Sequence, residues 1–249
     1  MRKTWVARIV ALLMLAAVSS LPALAADHPS VKRHFKLPPP ATLVYAVKAT
    51  QNGFQLKGEM VLRWTASGGR YALDSETRSS LLGKALESRS EGIIDGFGLA
   101  PQEFTEKKMR KAPYGASFDR NSRVIRLTES PQTYPIKGGE QDRSSILLQL
   151  VAVARGAPQK FTNGSEWKFF VVGRKSAETW TFRVIRRETV KTALGDIPAV
   201  HMVRLQQAGS REQQLDVWLA PSLDWFPVRV NFQDADGTRS EQVLQRIER

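Results

Sequence analysis

The sequence predicts a mainly β protein: a single curved antiparallel sheet, a half-barrel or open barrel, wrapped around one buried helix at about residues 142–155. Three observations carry this prediction. Residues 54–65 alternate strictly between apolar and polar, residues 146–154 are apolar on nearly every side, and further strand-like segments follow one another with turn signals between them. Strands recurring every ~8–12 residues indicate a barrel, half-barrel or sandwich.

The helix is the organising element. Asp142 is a plausible N-cap, Arg155 lies where a cation complements the helix dipole, and Gly156 stands where a left-handed C-cap residue belongs. Those signals bound a helix of roughly 13 residues, about 20 Å long. From Ile146 to Ala154 only Gln149 interrupts the apolar run. A helix without a wet face must be surrounded by protein.

The strands are read in chain order. A first segment from Thr42 to Thr50 reaches Asn52-Gly53, the dipeptide that most strongly signals a hairpin. Phe54, Leu56, Gly58, Met60, Leu62 and Trp64 then share one face, with Gln55, Lys57, Glu59, Val61, Arg63 and Thr65 on the other. A strand this long must bend, and Gly58 is a natural place for it. Ser67-Gly68-Gly69 turns the chain into a strand at 70–79 that carries Tyr71 and Leu73 inward. Two more strands span 86–109, joined through Asp95 to Pro101, and short ones at 114–118, 124–128 and 133–137 lead to the helix. After it, strands are expected at 167–172, 179–186, 188–193, 199–207, 214–219, 226–232 and 239–247, with turns at Leu194-Gly195 and Asp236-Gly237. No linker divides residues 41–249, which are read as one β-rich domain.

Ahead of that domain, Arg2, Lys3 and Arg8 precede the apolar segment Ile9 to Val18 and the small-x-small site Ala23-Leu24-Ala25. Residues 1–25 therefore read as a secretory signal peptide, cleaved after Ala25. The apolar run is shorter than the ~18 residues that signal a membrane span, so no transmembrane segment is expected. Residues 26–40, with Lys32-Arg33-His34-Phe35-Lys36 and Pro38-Pro39-Pro40, read as a basic, Pro-rich linker unable to join a sheet. Cysteine is absent, which excludes disulfides and an acylated cysteine, and export without cysteine points to a Gram-negative periplasm. Removing residues 1–25 takes three of the 37 Lys and Arg, leaving 34 against 24 Asp and Glu, a net of +10. Such an excess favours an anionic envelope partner, a lipid, glycolipid or glycan, and export argues against nucleic acid.

Catalytic and metal signatures are sparse. His28 and His34 fall in the leader and His201 in a strand, with no cysteine to help, so no metal site and no cofactor is expected. There is no Gly-x-Ser-x-Gly elbow. Ser165 and Lys168 match Ser-x-x-Lys, yet a spacing of three along a strand sends them to opposite faces. Gly96-Phe97-Gly98 lacks the third glycine of a dinucleotide loop. Glu91, Asp95, Asp142, Asp216 and Asp224 lie near turns or strand ends, and a converging pair among them would suit a hydrolase or lyase acting on cell-wall or exported polysaccharide. Inward aromatics suggest instead an apolar groove, for which Trp64, Trp180, Trp218 and Trp225 are the candidate lining. Lys107, Lys108, Arg110 and Lys111 are the candidate contacts to an anionic partner. The favoured expectation is a periplasmic, non-enzymatic binding or envelope-maintenance protein, with a lipid-like or glycan ligand. An envelope scaffold that captures a protein partner by a sheet edge is the third alternative.

Several motifs occur together in order: Ser90-Glu91-Gly92-Ile93-Ile94, Gly98-Leu99-Ala100-Pro101, Gln141-Asp142-Arg143-Ser144-Ser145, Val217-Trp218-Leu219-Ala220-Pro221 and Phe226-Pro227-Val228-Arg229. In these the chain resembles the bacterial domain-of-unknown-function 3108 family over nearly all of residues 41–249. The resemblance implies an exported, mostly antiparallel β protein and carries no established activity, catalytic residue or cofactor. Ser145 departs from the pattern, standing where leucine or another apolar residue is expected in the helix.

Overall fold

Antiparallel pairing follows the chain almost without exception, because each strand turns back onto its predecessor through a short connection. The computed structural model describes residues 28–51, 53–81, 83–206, 214–233 and 237–249. The expected signal peptide, Asn52 of the first hairpin turn and Asp236 lie outside them. One arm of the sheet contains β1 (Ala41–Gln51), β2 (Phe54–Ser67), β3 (Arg70–Ser79), β4 (Gly83–Asp95), β5 (Gly98–Lys108), β6 (Tyr114–Asp119), β7 (Val124–Leu127) and β8 (Ser130–Pro135). The two-residue β9 (Gln141–Asp142) leads into α1 (Ser145–Gly156). The other arm contains β10 (Glu166–Val172), β11 (Ala177–Thr192), β12 (Gly195–Leu205), β13 (Gln214–Leu219), β14 (Pro227–Gln233) and β15 (Arg239–Glu248).

Pairing of β1 with β15 joins the arms into one unclosed 15-stranded sheet with β8 and β9 at its edges. Among the described strands only β9 with β10 pairs in parallel. The arms curl toward each other, and side chains bridge the seam: Phe104, Phe118 and Ile125 from the first pack with Phe170, Val172 and Ala177 of the second. The exposed edge β8 is bracketed by Pro131 and Pro135, which cannot donate to an added strand.

The helix fills the concavity. Ile146, Leu150 and Val153 pack against Phe169, Phe182 and Val217 of the second arm. Leu148 packs with Leu43, Trp64 and Leu73 of the first. Of residues 146–154 only Leu147 is not fully buried. The helix begins at Ser145 rather than near Asp142 because Asp142 is already spent as the last residue of β9. Between the predicted strands 179–186 and 188–193 there is no break; β11 runs through, and a register shift between Val184 and Arg186 takes up the bend. At Gly58 of β2 a Cβ would sit 2.2 Å from the Arg78 carbonyl oxygen, so the two strands approach there as no other residue allows.

Residues 28–40 differ from a free linker. They pair with no strand, as their prolines require, but they form a strap across the helix. Lys36 N–H donates to Ala152 O at 2.9 Å, the Trp64 indole donates to Pro38 O at 3.1 Å, and Arg155 donates to Leu37 O. Further along, Arg33 reaches Lys168 O at 2.9 Å and Ser30 reaches Lys137 O at 2.9 Å. This contact explains Gly156. It is the last helical residue and not a left-handed cap; its Cβ would lie 2.6 Å from both His34 O and Phe35 Cα. Gly156→Ala is therefore expected to destabilise the protein by about 1–3 kcal/mol despite the better helix propensity of alanine. Urea unfolding would read the loss, and faster proteolysis within 28–40 would place it at the strap.

Candidate functional site

The connections from β1 to β2, β3 to β4 and β5 to β6 lie at one end of the strands, and those from β2 to β3, β4 to β5 and β11 to β12 at the other. The helix lies between, its N-terminal end toward the first set and Arg155 toward the second, where Arg155 meets Asp224 at 2.8 Å. It therefore plugs only part of the concavity. Beyond its N-terminus remains a cleft of about 220 Å³, with Met60, Leu62, Leu86, Leu147, Trp180 and Phe232 among its apolar walls. Lys108, Arg143 and Glu106 stand in the same wall, and Glu106 accepts from the Tyr114 hydroxyl at 2.6 Å.

The floor is fixed by polar groups that hold the helix end. Asp142 Oδ1 accepts the N–H groups of Ser144 (2.7 Å) and Ser145 (2.8 Å), while Oδ2 accepts the Ser90 hydroxyl at 2.5 Å. Ser145 Oγ in turn accepts the Asp142 N–H at 2.9 Å, a reciprocal cap that an apolar residue at 145 could not make. Tyr71 and Ser90 hydroxyls lie 3.0 Å apart, and Ser75, Ser88 and Ser144 form a hydroxyl chain of their own at 2.8 and 3.0 Å. Burial pushes the Asp142 carboxyl above its ordinary value despite these donors. Burial, then the adjacent Asp142, pushes the Tyr71 hydroxyl well above its own.

The candidate aromatics do not gather in one place. Trp180 lines the cleft, its indole N–H 3.0 Å from Glu178 and the Arg204 guanidinium 4.1 Å over its ring. Trp64 is fully buried beside the helix, 6.0 Å from the Tyr71 ring. Trp225 packs on Phe161 at 5.4 Å, in the core. Trp218 points to the other face of β13 from Val217 and Leu219 and stacks on His201 at 4.2 Å. Among the basic candidates, alternation sends Lys108 into the cleft wall and Lys107 to the outer surface, while Arg110 and Lys111 occupy the turn after β5.

The five carboxylates are also dispersed. Asp142 is buried under the cleft, Asp224 pairs with Arg155 and Arg249 at the far end, and Asp95 is the last residue of β4. Glu91 pairs with Arg89, and Asp216 Oδ1 lies 2.8 Å from His201 Nε2, where it accepts an imidazole N–H. Among the described residues no three potential metal ligands cluster, and no helix is long and apolar enough to cross a membrane.

The sequence reading missed most of the cleft lining. Leu62 and Met60 were legible as inward-facing, but Leu86, Leu147 and Phe232 join them only through the sheet's curvature. Gln149 was legible as an anomaly in an apolar helix; its amide accepts Leu99 N–H at 2.8 Å and donates to Phe97 O at 2.7 Å.

Among solved structures, a β-barrel-like protein of DUF1849 from Brucella abortus matches with a TM-score of 0.55 at 13% identity, covering 86% of this chain and 98% of that one. Fainter likenesses are a candidate lipoprotein from Parabacteroides distasonis (TM-score 0.39, 13% identity, 88% and 100% covered) and a DUF1329 family protein from Desulfovibrio piger (0.30, 6%, 85% and 85%). The first supports the barrel-like fold. No curated protein matches. The family described as "Protein of unknown function (DUF3108)" matches residues 44–243, and the chain belongs to that family.

Proposed function

We propose that the protein is a periplasmic, non-enzymatic binding protein whose cleft takes the acyl chain of an anionic lipid-like ligand. The observation that carries this reading is the cleft itself, an apolar hollow at the helix N-terminus with Lys108 and Arg143 in its wall. Its volume of about 220 Å³ lies below the ~300–1,000 Å³ usual for compact ligands, which favours a narrow chain over a glycan. Each methylene entering it contributes about 0.8 kcal/mol. The export signal read in residues 1–25, an excess of positive charge and dispersed carboxylates agree with binding rather than cleavage. The two prolines of β8 count against capture of a partner strand by that edge.

Native mass spectrometry of protein purified from a membrane-intact periplasmic extract tests the reading. Wild type is expected to carry an anionic lipid or fatty acid. Leu147→Trp, which fills the cleft from the helix side, is expected to lower the occupied fraction about tenfold, a loss of only two or so buried methylenes' worth of contact. Protein that carries no lipid in either form would contradict it.

A further inference from the structure

The turns around the cleft mouth differ in character from those at the far end. Four large apolar side chains are exposed among the described residues, and the two most exposed, Phe54 and Leu81 at 78% each, both lie at this end. Phe54 opens β2 beside the first hairpin turn, and Leu81 lies in the turn between β3 and β4. These tips are tied together, because the N–H and hydroxyl of Ser80 donate to Lys57 O at 3.0 and 3.1 Å. Neither side chain serves the core.

Cations surround them. Lys57, Arg110 and Lys111 are exposed and Lys108 is half-buried at the mouth. Of the acids nearby, Glu76 pairs with Arg78 and Lys84, Glu87 with Lys84 and Glu129 with Arg174, while the buried Glu106 accepts from the Tyr114 hydroxyl. Lys57, Lys108, Arg110 and Lys111 form no salt bridge among the described residues. Two separate apolar tips ringed by positive charge make too little continuous surface for a stable protein partner, which needs ~800 Å² a side. They suit a bilayer interface, where apolar side chains dip ~5–10 Å and cations meet anionic headgroups.

We infer that this end docks on the surface of an anionic phospholipid bilayer. Phe54 and Leu81 enter the headgroup boundary, Lys57, Lys108, Arg110 and Lys111 face the headgroups, and the cleft mouth opens onto the membrane. The inference rests on the proposed acyl-chain cleft for its purpose, since docking there lets a chain pass between bilayer and cleft without crossing water.

Flotation of the purified chain with vesicles of phosphatidylcholine, alone or mixed with phosphatidylglycerol, tests it. Wild type is expected to partition at least about tenfold more strongly to the mixed vesicles and to be released by salt, since each cation near an anionic surface is worth about fivefold. The double variant Phe54→Ser, Leu81→Ser is expected to lose about tenfold in partitioning with its urea midpoint unchanged. Lys108→Glu with Lys111→Glu is expected to lose about 25-fold or more, roughly fivefold for each positive charge removed and more for its reversal, and to flatten the salt dependence. Absence of flotation, equal binding to both vesicles, indifference to the Phe54 and Leu81 changes, or association only when envelope proteins are added would each overturn docking. Docking and cleft occupancy also fail separately. Flotation lost while lipid still co-purifies removes docking alone; flotation intact with an empty cleft removes the cleft reading alone.

Discussion

Asp142→Leu is expected to cost about 3–6 kcal/mol, a large share of the ~5–15 typical of a folded domain. The carboxylate receives the Ser90 hydroxyl and the N–H groups of Ser144 and Ser145, all within 2.8 Å, and the residue is fully buried. Leucine leaves these donors without acceptors and without water, at ~1–3 kcal/mol for each. It also loosens the helix entry that forms the cleft floor, so lipid occupancy should fall with stability. Asp142→Asn is the informative control, because its amide oxygen can accept both backbone donors and its amino group can donate to Ser90.

The control also separates charge from hydrogen bonding. Burial raises the folded carboxyl above the ordinary 3.8. The folded form then holds its proton where the unfolded chain has released it, so this group costs stability as pH rises from 3.8 through the folded value. Below 3.8 the cost vanishes. Asp142→Asn should therefore flatten that part of the stability profile and match or exceed wild type at neutral pH. Urea midpoints measured across the acid range would show it; a wild-type profile that rises with pH where Asp142→Asn stays flat would contradict the assignment.

Gln149→Leu is expected to cost about 2–4 kcal/mol, although it makes the helix uniformly apolar. Gln149 is 2% exposed and its amide satisfies both Leu99 N–H and Phe97 O at the start of β5. Leucine adds apolar surface at that point but strands one buried donor and one acceptor. Amide hydrogen exchange at Leu99 should accelerate out of proportion to the rest of the sheet; uniform acceleration would mean that the residue acts on global packing only.

Much of this architecture is written in local patterns. Strict alternation in β2 set its inward face, from which Phe54 at the strand's start departs by lying exposed beyond the core, and the apolar run 146–154 required a protein shell on all sides. The prolines kept residues 38–40 out of the sheet, but nothing local says that Pro38 O meets the Trp64 indole or that Leu37 O meets Arg155. Those are contacts between distant segments, set by how the sheet curls. The tryptophans illustrate the same limit. Trp64 and Trp180 both face inward, and only register and helix position decide that one is sealed beside α1 while the other borders the cleft. Lys107 and Lys108, by contrast, were separable in advance, since neighbours on a strand point to opposite faces. Gln149 likewise carried its own signal: a lone polar side chain in a buried helix must have partners.

The most direct test places a reporter against the ligand. Titrating a brominated fatty acid, kept below the concentration at which it forms micelles, should quench the intrinsic fluorescence of the wild-type protein saturably, and most of that quenching should vanish in Trp180→Phe. No saturable quenching, or quenching that survives Trp180→Phe undiminished, would show that no acyl chain lies in the hollow above the helix.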